Sequence, residues 1–186
     1  MMSQLTKKAI REAFLRQINK MPFDKITVKS IAEDCGINRN TFYYHYQDIY
    51  QLLDDIFMVE TKKVLEGNLD YDTWQEGFLQ AASFALENRK GIYHIYNSVN
   101  RSKIEKYLNN VAEKIMRDFV EKQTKGMNIN EEDIQLVVSF YQCALSGMVL
   151  QWLDGGMKQD PEYIIHRLGY LLDGTIKHML QRADKK

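Results

Sequence analysis

Apolar residues recur along the chain every three or four positions, and no stretch alternates strictly between apolar and polar residues. A period near 3.6 residues is typical of amphipathic α-helices, whereas alternation is typical of strands. Only two prolines, Pro22 and Pro161, interrupt the pattern. It predicts an all-α fold with helices at about residues 4–20, 27–34, 38–45, 48–67, 71–89, 91–98, 101–124, 130–154 and 161–182.

Polar residues with capping chemistry precede several of these predicted helices. Asp48 and Asp72 each stand three residues before a glutamine, which is the spacing of a capping box. Asn130 precedes three acidic residues that suit the positive end of a helix dipole. Asp160 precedes Pro161, the pairing of an N-cap acceptor with a helix-opening proline. Helices are therefore expected to begin at these four points.

Residues 134–153 contain no charged side chain over a length that could cross a bilayer. Gln135, Ser139, Gln142 and Ser146 fall on one stripe of a helix, which leaves the apolar residues on the rest of its surface. A helix with one polar stripe is expected to be buried in protein. No membrane partner is predicted.

Charge is distributed unevenly, although the formal total is zero. Residues 1–47 carry eight basic and four acidic side chains, so residues 48–186 carry the opposite excess of four. A basic end on an acidic body favours a polyanion as the partner of the basic end. We therefore expect two domains, a nucleic-acid-binding domain at 1–47 and a helical body at 48–186.

The segment SIAEDCGINRNTFYYHYQD, residues 30–48, has the pattern of a helix-turn-helix motif. Gly36 can adopt the left-handed backbone of a sharp helix exit. The helix that follows turns Phe42 and Tyr46 toward a core. Its other face offers side chains that can reach bases or phosphates in the major groove of DNA, namely Arg39, Asn40, Tyr43 and Tyr44. The alternative is a plain three-helix module with core tyrosines and solvated charges.

Residues 8–57 resemble the DNA-binding domain of the tetracycline-repressor (TetR/AcrR) family, through FDKITVKSIAEDCGINRNTFYYHYQDIYQLLDDIF. The resemblance implies three DNA-binding helices followed by a six-helix ligand-binding and dimerisation domain. Residues implied near phosphates are Thr27, Lys29, Thr41 and Tyr43. Residues implied in or near the groove are Asn38, Arg39, Asn40, Tyr44 and His45. Family members often have a lysine where this chain has Ile49, so one phosphate contact would be absent.

The stretch LSGMVLQWLDGGMKQDPEYIIHRL, residues 145–168, is similar to a subgroup of that family that includes activators of dihydroxyacetone kinase operons. Such a member can work through a protein partner instead of a small ligand. The similarity therefore keeps a protein partner open as an alternative to a small-molecule effector.

The body is rich in aromatic and soft side chains that could line a pocket for an apolar or aromatic effector. The expected lining residues are Trp74, Phe78, Tyr93, Tyr96, Tyr107, Tyr141, Met148 and Trp152. His94 and Gln151 are possible polar anchors. The same residues would equally fill an ordinary core.

The last two predicted helices have the features of a homodimer interface. Ala144 and Gly147 allow a partner helix to approach closely. Apolar residues of the last helix cover more than one of its faces, and those expected at the interface are Ile165, Leu168, Leu172 and Met179. A two-fold dimer would present two recognition helices to an inverted repeat.

Cys35 and Cys143, together with four histidines, form no catalytic or metal-ligand spacing, and no glycine-rich phosphate loop is present. We therefore expect no enzyme activity, no cofactor and no metal. The amino terminus lacks the pattern of a signal peptide, which predicts a cytoplasmic protein with reduced thiols. The sequence thus predicts a homodimeric DNA-binding repressor released from an inverted-repeat operator by a small effector, with coupling through the fourth helix.

Overall fold

The computed structural model describes residues 2–66, 73–98 and 100–184, and every regular element within those ranges is helical. This confirms the predicted all-α fold. The elements are α1 (Met2–Ile18), a 3-10 turn (Phe23–Lys25), α2 (Val28–Asp34), α3 (Arg39–His45), α4 (Ile49–Glu66), α5 (Trp74–Glu87), α6 (Arg89–Tyr96), α7 (Arg101–Gln123), α8 (Glu131–Asp154), α9 (Pro161–Leu171) and α10 (Thr175–Ala183).

The predicted last helix, 161–182, was wrong as a single element. Helix α9 ends at Leu171, and Gly174 has a φ of +73°, a left-handed conformation that stops the helix. The hydroxyl of Thr175 donates to the Leu172 carbonyl at 2.6 Å, which satisfies one of the terminal acceptors. The apolar period continues across the break because both helices bury apolar side chains, so periodicity alone did not reveal it.

Three of the four predicted helix starts are observed directly. Asn130 accepts from the amide of Asp133 at 2.7 Å, and Asp160 accepts from an amide two residues on. Asp48 accepts from the amide of Gln51 at 2.8 Å. The Gln51 side chain accepts from the amide of Gln47, one residue before the cap, so the reciprocal bond of the expected box is displaced by one position.

The predicted cap at Asp72 lies outside the described residues. Thr73 and Glu76 form the observed pair at the start of α5. The amide of Glu76 donates to the Thr73 hydroxyl, and the amide of Thr73 donates to the Glu76 carboxylate, each at 3.3 Å. A threonine and a glutamate three residues apart meet the capping-box pattern directly.

The chain contacts divide into two compact units. The first comprises residues 1–62 and 84–104, and the second comprises 63–83 and 105–186. The first therefore extends beyond the expected domain of residues 1–47, since residues 49–62 of α4 and all of α6 belong to it. The predicted boundary after residue 47, between a nucleic-acid-binding domain and a helical body, stays a prediction.

Helix α1 is the framework of the first unit. It buries one apolar face through Ile10, Phe14 and Ile18. Its Gln17 side chain, also buried, donates to the Ser30 carbonyl at 2.9 Å and accepts from the Ser30 hydroxyl at 2.8 Å. These two bonds fasten α2 to α1 in a single register.

The carboxyl end of α1 is joined to α6. Asn19 donates to the Asn88 side chain at 2.8 Å and accepts from the Gly91 amide at 3.0 Å. His94 Nδ1 donates to the Ile18 carbonyl at 2.7 Å. A Cβ at Gly91 would lie 2.9 Å from the Ile18 side chain, so the close approach of these helices requires glycine there.

In the second unit, α8 is long and apolar enough to cross a membrane by length and composition, as a buried core helix also can be. Its polar stripe makes hydrogen bonds within the unit: Gln135 accepts from Arg117, and Gln142 donates to Asn109 at 2.7 Å. Tyr141 contributes a further bond to Thr175 at 2.8 Å. Helix α7 thus satisfies both amides, whereas the Ser146 hydroxyl of the same stripe has no partner among the described residues. Only a third of the apolar window of α8 is buried, so the predicted burial of this helix is observed only in part.

Candidate nucleic-acid interface

The turn between α2 and α3 is closed by two backbone hydrogen bonds. Gly36, at φ +69°, donates to the Glu33 carbonyl at 3.3 Å, and Ile37 donates to the Ala32 carbonyl at 2.9 Å. This pair of bonds is the Schellman arrangement, which favours glycine at the left-handed position. Burial raises the pKa of the adjacent Cys35 thiol, which donates to the Ile31 carbonyl at 3.1 Å. The predicted glycine turn is confirmed.

Helix α2 begins with a capping box that holds the exposed residues Thr27 and Lys29 in place. The Thr27 hydroxyl oxygen accepts from the Ser30 amide, and the Ser30 hydroxyl oxygen accepts from the Thr27 amide, each at 3.1 Å. Lys29 pairs with Glu33, one turn later, at 3.8 Å. An exposed pair of this kind contributes little stability, so the ammonium group can exchange it for another anion.

Helix α3 begins with an asparagine cap. Asn38 Oδ1 accepts from the Thr41 amide at 2.8 Å and from the Thr41 hydroxyl at 3.1 Å. The cap occupies the carbonyl oxygen of the Asn38 side chain, and Asn38 as a residue is exposed. Asn38 and Thr41, predicted to approach DNA, therefore also define where α3 starts.

The outward face of α3 consists of Arg39, Asn40, Tyr43 and Tyr44, all exposed, with Tyr44 at 82 %. Among the described residues, no side chain pairs with Arg39 or Asn40. Tyr44 makes an edge-to-face contact with the half-buried His45, with ring centroids 5.0 Å apart. A guanidinium, an amide and two phenols thus share one open surface, which suits base edges and phosphates.

The inward face of α3 is Phe42, fully buried, and the residue that follows the helix, Tyr46, is 2 % exposed. The predicted assignment of these two residues to the core is confirmed. Ile49, where the family resemblance implies a lysine, is half-buried at the first turn of α4. It places an apolar side chain there.

A polar network behind α3 was missed by sequence reasoning. The Tyr46 hydroxyl donates to Asp55 Oδ2 at 2.7 Å, and Arg11 donates to the same oxygen at 2.9 Å. Lys7 lies over the Tyr46 ring, 5.2 Å from its centroid. The available signal was an acid inside the apolar run LLDDIF of α4, since a carboxylate on a buried helix face needs partners.

The network shifts the pKa of each of its members. Burial raises the pKa of the Asp55 carboxyl, but the hydrogen bonds from Tyr46 and Arg11 outweigh burial and leave that pKa below its usual value. Burial and the bond to Asp55 raise the pKa of Tyr46. Burial lowers the pKa of Arg11, but its bond to Asp55 and the charge interactions with Tyr46 and Asp55 together leave that pKa above its usual value. At neutral pH the network therefore consists of one carboxylate and two protonated donors.

The residues predicted to line an effector pocket differ in how deeply they are buried. Those that are buried are Trp74, Phe78, Tyr96, Tyr107 and Tyr141, while Met148 and Trp152 are half-buried. Tyr93 and Gln151 are exposed, and His94 bonds to the Ile18 carbonyl. The surroundings of these three residues therefore differ from the predicted pocket. A small apolar cavity of ≈ 10 Å³ in the first unit is lined by none of these ten residues. The pocket remains a prediction.

The residues predicted at a dimer interface also differ in exposure. Ala144 and Gly147 are exposed, with open space beside Gly147. Met179 is exposed, whereas Leu168 and Leu172 are half-buried. Ile165 is only 5 % exposed and packs inside its own chain, which leaves almost none of it for a partner.

Sequence reasoning missed the large exposed apolar side chains of α8 and α9. Leu136 and Phe140 share one side of α8, and Tyr163, Tyr170 and Leu171 share one side of α9. We call these two sets together the apolar face. A run of apolar residues looks the same in sequence whether it is buried or exposed, so only packing identifies this face. Among the described residues, no cluster of His, Cys, Asp and Glu side chains could hold a metal ion.

Two family models match the chain. The model described as "Bacterial regulatory proteins, tetR family" matches residues 10–56, which contain α2, α3 and the network residues. The TetR model described as "Transcriptional regulator C-terminal region" matches residues 72–174, more than half of the chain.

One curated relative is the HTH-type dhaKLM operon transcriptional activator DhaS of Lactococcus lactis subsp. lactis (strain IL1403), 31 % identical over 87 residues. The match covers 47 % of this chain and 46 % of that protein, so the chain spans about half of the length of this relative.

Solved structures of the same fold include the dihydroxyacetone kinase operon activator DhaS, with a TM-score of 0.78 and 20 % identity over 97 % of this chain and 98 % of that one. A tetR-family regulator from Streptomyces coelicolor has a TM-score of 0.64 and 14 % identity over 98 % and 90 %. These structural similarities show the fold alone, whereas the two family models show the family. The protein belongs to the TetR family of DNA-binding transcriptional regulators and is not an enzyme.

Proposed function

We propose that this TetR-family regulator is a cytoplasmic, homodimeric repressor that binds an inverted-repeat operator through α3 and leaves it when an effector binds the helical body. The observation that supports this most directly is the outward face of α3, where Arg39 and Asn40 are exposed at a capped helix start. Recognition helices of helix-turn-helix proteins read bases with their N-terminal residues.

Each side chain of this face matches a specific part of DNA. Arg39 suits the two acceptors of guanine, and Asn40 suits the donor and acceptor of adenine. Phosphates would be held by Thr27, Lys29, Thr41 and Tyr43, with Asn38, Tyr44 and His45 in or near the groove. The net basic charge of residues 1–47 supplies the attraction that does not depend on sequence.

The apolar face of α8 and α9 supports the homodimer. Monomeric proteins rarely leave several large apolar side chains exposed together. A second copy related by a two-fold axis would cover the same face on both chains. Ala144 and Gly147, exposed on the same helix as Phe140, would let the two copies of α8 approach closely. Such a dimer would present two copies of α3 to the two half-sites of an operator.

Ser146 supports an effector site in the second unit. Its hydroxyl is buried and, among the described residues, has no hydrogen-bond partner. A buried hydroxyl without a partner is uncommon, and a ligand group can satisfy it. The proposed ligand is therefore an apolar or aromatic molecule with one polar group that bonds to this hydroxyl.

Coupling from the body to DNA would use the helices that contact the reading module. Helix α4 follows α3 directly, and α6 is bonded to the end of α1 through Asn19 and His94. An effector can shift DNA binding only if it binds the non-DNA arrangement of these helices more tightly.

A second candidate function is activation through a protein partner that docks on the body in place of a small ligand. It is favoured by the relative named as a transcriptional activator of the dhaKLM operon. Repression with an effector and activation with a partner differ in what the body binds and in the sign of regulation.

Selection of bound duplexes from a random-sequence pool, followed by footprinting of the enriched duplex, tests the DNA proposal. The expected result is an inverted repeat, protected over two half-sites about one helical turn or more apart. Enrichment of a single half-site would contradict the proposal that a dimer binds the DNA.

A thermal-shift screen of small aromatic and apolar compounds, run beside affinity purification from the native cell, separates the two candidate functions. A raised melting temperature with one compound that also releases the operator supports the repressor. A stoichiometric protein partner without any active compound supports the second function. Gene expression with and without the protein then gives the sign of regulation.

A further inference from the structure

We propose that Tyr46 and Asp55 are positioning residues for DNA recognition, because their hydrogen bond sets the orientation of α3 against α1 and α4. The inference rests on the proposed reading of bases by α3. Neither residue touches DNA in this arrangement, since Tyr46 is buried and Asp55 lies behind the reading helix.

Tyr46 is placed to control the end of α3. Its amide donates to the Phe42 carbonyl at 2.9 Å and so closes the last helical turn. The same residue carries the hydroxyl that bonds to Asp55 of α4 at 2.7 Å. The backbone that ends α3 and the side chain that anchors it therefore belong to one residue.

Asp55 connects three helices through a single oxygen. Its Oδ2 accepts from Tyr46 at the end of α3 and from Arg11 of α1, while the residue itself belongs to α4. Lys7 of α1 adds a cation over the Tyr46 ring. All of these contacts lie within the first compact unit.

The short length of α3 makes this anchor consequential. A helix of seven residues is not stable by itself and takes its direction from tertiary contacts. Phe42 supplies apolar burial, which is large but not directional. The Tyr46–Asp55 bond is directional, so it restricts rotation of α3 about its own axis and tilt at its end.

Packing alone does not account for the Tyr46 hydroxyl. A phenylalanine would supply the same buried ring without a polar group. The hydroxyl must be desolvated to enter the core, and the lowered pKa of the Asp55 carboxyl keeps a charged acceptor available for it at neutral pH.

Base contacts depend on this orientation more strongly than phosphate contacts do. Arg39 and Asn40 need two aligned hydrogen bonds each to distinguish a base, whereas Lys29 can follow a phosphate with its flexible side chain. Loss of the anchor should therefore reduce the preference for the operator over random DNA. Affinity for random DNA should change little.

The test uses the full-length variants Tyr46→Phe and Asp55→Asn, with Tyr50→Phe and Asp54→Asn as matched controls. Tyr50 is an exposed tyrosine of α4 that packs on Phe23, and Asp54 is an exposed acid that pairs with Lys103. Fluorescence anisotropy measures the affinity of each protein for a duplex selected by the wild-type protein and for a random-sequence duplex, and thermal unfolding is recorded beside it.

We expect both variants to lose about tenfold in the ratio of selected to random affinity, the size of one hydrogen bond to a charged group. Their affinity for random DNA should stay within about twofold of wild type, as should both affinities of the controls. Tyr46→Phe removes one oxygen atom only, so it tests the proposal even if Asp55→Asn fails to fold.

A lower melting temperature with an unchanged ratio in Tyr46→Phe would show that the bond is structural only, and would overturn the inference. Equal losses on both duplexes would also overturn it, because they would place the effect in the phosphate contacts. A wild-type protein without any sequence preference would overturn the proposed reading by α3 and this inference together. A wild-type preference that survives in both variants overturns the inference alone.

Discussion

Two exposed surfaces of this protein differ sharply in chemistry. The outward face of α3 offers a guanidinium, an amide and two phenols, in a segment with a net positive charge. The apolar face of α8 and α9 offers mainly carbon, through Leu136, Phe140 and Leu171. Both surfaces are open to solvent, so exposure by itself does not identify a partner. Hydrogen-bonding groups combined with net positive charge favour DNA, whereas a surface of apolar area with only the phenols of Tyr163 and Tyr170 favours protein.

The two surfaces are also supported differently. Helix α3 has seven residues and depends on caps and on the Tyr46–Asp55 bond for its placement. Helix α8 has 24 residues and carries buried side chains along its whole length. The outward face of α3 should therefore be sensitive to substitutions in the residues that support it, whereas the apolar face should respond mainly to substitutions of its own residues.

The largest effect is expected from Phe140→Asp, which puts a charge on the apolar face. Burying that charge in a two-fold interface should weaken the dimer by about 2–4 kcal/mol. Sedimentation equilibrium measures this change. Met58→Asp is the control, since Met58 is 62 % exposed and Phe140 is 61 % exposed. An unchanged dimer in Phe140→Asp would remove the apolar face from the interface.

Substitutions of Arg39 and Lys29 should distinguish contacts to bases from contacts to phosphates. Arg39→Ala should cost about 1–3 kcal/mol on the selected operator and relax its specificity at one base pair. Lys29→Ala should weaken all duplexes alike and reduce the salt slope by about one. Mobility-shift titrations over a range of salt concentrations measure both. Unchanged operator binding by Arg39→Ala would contradict its assigned role.

Removal of the Asp55 charge should show how much the hydrogen bonds of Asp55 behind α3 stabilise the fold. We expect Asp55→Asn to lower the free energy of unfolding by about 1.5 kcal/mol at neutral pH. Because the folded-state pKa of Asp55 is lowered, its contribution is present above the unfolded value of about 3.9 and is lost as pH falls through the folded value.

Urea unfolding of the wild type and Asp55→Asn at neutral and acidic pH measures this difference, with Asp54→Asn as the control for loss of one negative charge. The gap between the wild type and Asp55→Asn should begin to narrow below about pH 4 and close once the pH is below the lowered folded-state pKa of Asp55. A gap that persisted unchanged in acid would show that the charge of Asp55 does not stabilise the fold.

The smallest effect is expected at the cap of α2. Thr27→Ala should lower the free energy of unfolding by about 1 kcal/mol, because the Ser30 amide loses its acceptor. Thr27→Ser keeps the hydroxyl and should restore most of that loss. Urea unfolding measures both, and equal losses in the two variants would assign the effect to the methyl group.

Much of the DNA face could be predicted from the sequence because its determinants are local. Thr27 and Asn38 cap helices through bonds that span three residues, and Gly36 turns the chain through its own backbone. The division of α3 into an outer face and a buried Phe42 follows from the helical period. The burial of the residues assigned to the effector pocket and the exposure of the apolar face could not be predicted in this way, because burial depends on the packing of distant segments.

The sequence by itself determined most of the helices, most of their caps, and the residues that α3 turns outward, since each depends on neighbours within about four positions. Only the tertiary structure decided that Asp55 meets Arg11, that His94 bonds to Ile18, and that Ile165 is buried. These pairs are 44 and 76 residues apart, and nothing in a local period specifies which side chain a packed helix will face. Packing, which acts between helices, makes that choice.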